Sequence, residues 1–371
     1  MKKIRYICLL LTSLMIVGCG NQSVTTTVPV PSETVPEEVR ISFVGVGDNL
    51  IHNCVYWQAD ENAPGDDYDF KPMYELVSDD IYNADIAYIN QETILGGTEI
   101  GVSSYPLFNS PQELGRDMID LGFDVFSHAT NHVFDKGEKG LANTYAFYEQ
   151  NPDATCIGLH KKGEDIVKIV ERKGVKIAFV NYTYLTNGFS HPKETEYNVP
   201  LGDFDDTTEM EETIRRAKAD ADFVVCCVHW GDEGATKPNS KQKKNAQILA
   251  DAGCDVIIGT HPHAIQPVEY IDDTLVVYSL GNFISAQKSP INLLGGMIYF
   301  DFVKDTEGKR IENVRFRPVI NQYGGGFDNI HIVPFDMYTK ELAAAHGAGV
   351  SYEYFDKKIK EIIDEEFLVG Q

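Results

Sequence analysis

Short apolar runs alternate along most of the chain with longer stretches whose apolar residues recur at helical spacing. The runs at 41–46, 86–89, 125–126, 177–181, 223–228, 256–258 and 275–279 predict strands, and 72–82, 111–121, 138–148, 207–219 and 240–252 predict helices. Continuous apolar strands separated by helices point to an α/β architecture whose sheets are covered on both faces. Past Asn282 the character changes. Residues 295–302 and 314–318 read as antiparallel strands, and 352–367 as a charged amphipathic helix closing the domain.

The first residues follow a different logic. Lys2, Lys3 and Arg5 precede an apolar run from Ile7 to Val17, and Gly18-Cys19 follows it, which is the layout of a secretory signal. The run is too short to favour a transmembrane helix. Ile16-Val17-Gly18-Cys19 resembles the lipobox of bacterial lipoproteins, which implies a signal over 1–18, Cys19 as lipid anchor and an outward-facing protein on the cell membrane. Secretion after ordinary cleavage nearby is the alternative. Residues 19–39, rich in Ser, Thr, Val, Pro and Glu, read as a tether. The main domain is expected over 40–334, with a helical extension over 335–371.

With 371 residues, 43% of them hydrophobic, the chain can bury a full core. Its formal charge of -24 repels nucleic acid, so no nucleic-acid partner is expected, and an anionic ligand needs a local patch or bound cations. Cys8 falls in the signal and Cys19 at the anchor. That leaves Cys54, Cys156, Cys226, Cys227 and Cys254, an odd set at irregular spacing that suggests no disulfide framework. Cys226 and Cys227 lie in one apolar run and are expected as buried thiols on opposite faces of a strand.

The polar residues that carry chemistry sit just past the ends of predicted strands, where α/β folds place their ligands. They are Gly47-Asp48-Asn49, Asn90-Gln91-Glu92, Asn131-His132 with Asp135, His229-Trp230-Gly231-Asp232-Glu233, and Gly259-Thr260-His261-Pro262-His263 with Asn282 on the next strand. One such histidine is ordinarily a structural one. Three that all follow apolar strands in one half of the chain suggest a metal centre, since imidazole and carboxylate together suit Zn, Mn or Fe.

In this order, the motifs resemble the calcineurin-like metallophosphoesterases. Gly47-Asp48, Asn90-Gln91-Glu92, Thr130-Asn131-His132, His229-Trp230-Gly231-Asp232-Glu233, Gly259-Thr260-His261-Pro262-His263 and Ser279-Leu280-Gly281-Asn282-Phe283 are similar to the CapA/PgsA capsule-synthesis family, linked to poly-γ-glutamate. The resemblance implies a four-layer αββα sandwich and one or two divalent ions. Asp48, Glu92 and His263 would hold the first ion, with Glu92 bridging, and Asn131, His229 and His261 the second. His132 would stabilise or protonate a leaving group, with Asp135 orienting it.

Asn90, Glu233, Asn282, Lys241 and Lys244 are candidate substrate contacts. The lysines stand in a cluster with Lys237 and Lys243, which reads either as a solvated helix face or as a landing site for a polyanion. Two departures stand out. Leu50 occupies the position where phosphoesterases carry a second histidine, and the bridging acid is Glu rather than Asp. His52 is near in sequence but at a different spacing.

The resemblance therefore leads to an exported lipoprotein acting on poly-γ-glutamate or another anionic surface polymer, in contact with membrane synthase subunits. The alternatives are a non-catalytic polymer-binding subunit of a synthase complex and a cell-envelope phosphoesterase.

Overall fold

The computed structural model describes residues 38–65 and 67–369; the signal, Cys19 and the tether up to residue 37 lie outside the described residues. Two mixed sheets form the centre. The first has eight strands, in the order His331–Pro334, Lys309–Gln322, Leu294–Asp305, Glu38–Asn49, Ile86–Asn90, Val125–Ser127 and Thr155–Ile157, with Asn282–Ile284 pairing beside the end of Glu38–Asn49. The strands from Glu38–Asn49 to Thr155–Ile157 run parallel, while Leu294–Asp305, Lys309–Gln322 and His331–Pro334 add an antiparallel half.

The second sheet runs Val268–Ile271, Thr274–Val277, Val256–Thr260, Phe223–His229, Val175–Thr183, Lys168–Arg172. Its four central strands are parallel and both edges are antiparallel.

The inner faces of the sheets meet through aromatic contacts. Phe43 lies 6.5 Å from Phe179 and Phe223 lies 4.9 Å from Phe302, measured between ring centres. Because successive side chains on a strand point to opposite faces, the neighbours of these residues form outer surfaces. On the second sheet Ala178, Val224 and Cys226 pack with Ile214 and Ala217 of helix Thr208–Asp220 and with Leu249 of helix Ser240–Ala252. On the first, Phe126 packs against Tyr148 of helix Gly137–Gln150, and helix Gln112–Leu121 buries Leu114 and Met118. The result is the four-layer αββα sandwich, each large apolar side chain contributing roughly 1.5–3 kcal/mol by leaving water.

Cys226 joins the outer cluster and Cys227 the core between the sheets, and both thiols are free.

Four sequence expectations change in detail. The 72–82 helix divides into a 3-10 turn, Lys71–Val77, and a short helix, Ser78–Tyr82. Helix Asn53–Asn62 was not expected, because Val55 and Ala59 are its only buried residues and leave no apolar stripe to read. The edge strands Lys168–Arg172 and Val268–Ile271 are half solvated and carry charge, which hides them from a search for apolar runs. The last segment forms helix Tyr352–Ile362 and a 3-10 turn, Glu365–Phe367. It buries Phe355, Ile359 and Ile362 in the same core as the sheets, so residues 335–369 pack as part of the main domain.

Candidate metal centre

Asp48 ends the Glu38–Asn49 strand, where the chain passes hard against the turn before Asn282. A Cβ on Gly47 would stand 2.0 Å from the Gly281 carbonyl oxygen, so only glycine permits the approach. The Asp48 amide then donates to that oxygen at 2.9 Å. Asp48 Oδ1 accepts from Asn90 Nδ2 at 2.8 Å, and Oδ2 lies 2.9 Å from His263 Nδ1. Asn282 Oδ1 lies 3.1 Å from the same nitrogen, and Asn282 Nδ2 is held by the Asn292 carbonyl at 2.9 Å. Asn90 and Asn282, expected as substrate contacts, are thus fully buried and orient the first ligands.

The Ile86–Asn90 strand delivers Glu92 to the middle of the group. Its Oε1 lies 3.7 Å from His263 Nε2 and 3.9 Å from His229 Nε2, between the residues of the two expected ion positions. His229 Nε2 is 2.9 Å from Asn131 Oδ1, while its Nδ1 is 3.0 Å from Thr260 Oγ1. The rings of His229 and His261 are 4.8 Å apart. His261 and His263 take φ values of 94° and 54°, in the left-handed region that non-glycine residues rarely adopt. Such strain is stored mainly where a site is over-determined by its surroundings.

The charges are equally unusual. Burial, and after it the Asp48 charge, holds the Glu92 carboxyl well above the usual range. Burial and then His261 push His229 far down, and burial and then His263 lower His261 to about 3. For His263 burial acts downward too, but Glu92 and then Asp48 outweigh it and hold the imidazole at about 9.

Two sets of ligand atoms lie within 4.8 Å of one another: Asp48, Glu92 and His263; and Glu233, His261 and His263. Both Glu92 oxygens and His261 Nδ1 are buried without a partner. A buried carboxylate left unsatisfied costs stability, and a divalent cation supplies what these atoms lack. The donor set fits such an ion.

Beside Asn131, His132 Nδ1 lies 2.8 Å from Asp135 Oδ2. That oxygen also accepts from the Phe108 amide at 2.6 Å, so the carboxylate is fixed, and the Phe108 ring meets His132 edge-on at 4.7 Å.

Leu50 is buried in the core, and His52 Nδ1 is taken by the Ala286 amide at 3.2 Å; neither belongs to a ligand set. Lys241 stands over the Phe204 ring at 5.2 Å and Lys244 is exposed. Among the described residues, neither lysine side chain is bonded to a site residue. Thr260 and Phe108 were not singled out from the sequence. Thr260 stood in the Gly-Thr-His motif and could have been found there, whereas nothing near Phe108 marks it.

Fold and site together define a two-sheet α/β protein with a cluster of His, Asn and carboxylate groups, able to hold a metal ion, at the C-terminal ends of its strands. The chain belongs to the bacterial capsule synthesis protein family PGA_cap, whose model matches residues 42–287. It is 37% identical over 172 residues to the PGA biosynthesis protein CapA of Bacillus subtilis (strain 168), a match covering 45% of this chain and 44% of that one. With the capsule biosynthesis protein CapA of Bacillus anthracis the identity is 30% over 182 residues, covering 48% and 44%. The match thus spans less than half the length of these two relatives. Among solved structures, a phosphatase from Mycoplasma pneumoniae is similar with 14% identity and a TM-score of 0.47, over 76% of this chain and 94% of that one.

Proposed function

We propose that the protein is an exported lipoprotein whose metal centre processes poly-γ-glutamate, or a related anionic surface polymer, during capsule formation. The observation that carries the catalytic part is the fully buried, unpartnered Glu92 carboxylate between His229 and His263, with the His132–Asp135 pair in the same cluster of motifs. Membership of the capsule synthesis family supports the choice of polymer, and the lipobox-like Ile16-Val17-Gly18-Cys19 supports export and anchoring. The synthase subunits of the membrane are the natural partners of such a protein.

Asp48, Glu92, His263, Asn131, His229 and His261 would hold one or two ions of Mn, Zn or Fe. A divalent ion there supplies Lewis-acid polarisation of a substrate oxygen and neutralises developing negative charge. The remaining work falls to the chain's own groups. Asp135 accepts a hydrogen bond from Nδ1–H of His132 and fixes the ring, so that Nε2, in the doubly protonated imidazolium, is the atom that passes a proton to the departing group and leaves the ring neutral. The edge-on Phe108 ring keeps that imidazole from turning and limits water around it.

The test is metal analysis of the purified protein, followed by incubation with poly-γ-glutamate and with model phosphoesters. Metal-dependent shortening or transfer of the polymer is the expected result. Turnover of phosphoesters alone would assign the centre to an envelope phosphoesterase, and bound metal with neither activity would leave a polymer-binding subunit.

A further inference from the structure

Glu233 was expected to meet substrate, yet its carboxylate lies with ring nitrogens of His261 and His263, all within 4.8 Å. His263 also belongs to the Asp48 and Glu92 set, so it is the residue the two groups share. The loop carrying Glu233 is tied to the loop carrying both histidines. The Gly234 amide donates to the Pro262 carbonyl at 2.7 Å, and Gln266 Nε2 donates to the Ala235 carbonyl at 3.0 Å. Asn239 Nδ2 further holds Asp232 Oδ2 at 2.9 Å. The loop backbone beside Glu233 is therefore fixed against its neighbours, and Glu233 itself is exposed to solvent.

A second observation points to a ligand at the same place. His261 is 5% exposed, and its Nδ1 is buried with no hydrogen-bond partner. A buried ring nitrogen in that state is costly unless something binds it. One carboxylate and two imidazoles make a donor set suited to first-row divalent ions. Among the described residues no Lys or Arg forms an ion pair with Glu233, so no surface salt bridge accounts for its placement.

We propose that Glu233 is a metal ligand that completes, from the solvent side, the coordination of an ion held by His261 and His263. With it, three carboxylates rather than two face the centre: Asp48, Glu92 and Glu233. That balance favours a pair of divalent ions over a single one. Glu233 is also the one exposed member of the two sets, hence the ligand that solvent and substrate reach first.

This inference rests on the reading that the cluster holds a divalent ion, and the experiment separates the two. The full-length protein, E233Q and E233D are stripped with chelator, and their melting temperatures are compared. Each is then titrated with Mn2+ by calorimetry and with Co2+ by visible absorption. The stripped melting temperatures report what the substitution does to the metal-free fold, and metal affinity is read against them. Mn2+ affinity should fall at least about tenfold in E233Q, since even groups that only support a ligand are worth that much. The Co2+ absorption band should shift, and E233D, which keeps a carboxylate, should recover part of the loss. Equal affinity and an unchanged Co2+ spectrum in E233Q would overturn the Glu233 assignment alone. No binding by the unaltered protein would overturn the metal centre and this ligand with it.

Discussion

Glu92→Gln separates metal binding from folding. Both carboxylate oxygens are buried and unpartnered, and burial with the neighbouring Asp48 charge disfavours the ionised form. Leaving such a group unsatisfied costs about 1–3 kcal/mol. The amide keeps the shape, cannot ionise and brings N–H donors. His263 retains Asp48 at 2.9 Å, so the imidazole does not lose its remaining acid partner. In the presence of chelator the variant should therefore be the more stable protein. With an unfolding entropy of about 2.1 cal/mol/K per residue, a domain of roughly 330 residues shifts its Tm by about 1.5 °C for each kcal/mol. The expected gain is thus about 1.5–4 °C.

With a divalent ion at about 1,000 times its Kd, the unaltered protein gains about 4.1 kcal/mol, more than the variant's advantage, and the order reverses because the variant has lost its central ligand. Differential scanning calorimetry of both proteins, once in EDTA and once in Mn2+, reads the two orders directly. A variant that melts below the unaltered protein in EDTA would refute the reasoning. Glu92 would then be satisfied in the folded chain, and its burial would carry no imprint of a metal.

His132→Ala should retain metal while slowing turnover by a factor on the order of 10² to 10⁴, the usual worth of a general acid. Asp135→Asn should act in the same direction by releasing the tautomer, and full activity in either variant with metal bound would favour a binding role. His261→Ala should lower metal content and activity together in paired metal and turnover assays, because it removes a ligand. Gly47→Ala places a methyl group 2.0 Å from the Gly281 carbonyl oxygen and should cost at least about 1–3 kcal/mol, read as a lowered Tm. Cys19→Ala should move the protein from the membrane fraction to the soluble one, and a variant that stays membrane-bound after signal cleavage would disprove lipid anchoring.

Local sequence was enough for the elements whose burial is complete. The fully buried Phe223–His229 and Val256–Thr260 strands announce themselves, since a strand covered on both faces has no solvent-side residues to dilute its pattern. The same reasoning located Asp48, Glu92, His229, His261 and His263, because strand ends in an α/β fold all open on one side.

What lay beyond the sequence depended on contacts between distant segments. Whether the half-solvated Lys168–Arg172 strand forms is decided by its partner Val175–Thr183. That Asn90 and Asn282 orient ligands instead of facing substrate follows from the close passage of Gly47 past Gly281, more than 230 positions along the chain. Glu233 reads from the sequence as a substrate contact, since an exposed acid in a polar loop carries no mark of its neighbours, and the backbone bond from Gly234 to Pro262 is what ties its loop to that of the histidines. Periodicity records how much of a residue is buried, while coordination depends on which buried groups lack partners, and that is settled only when the two sheets are packed together.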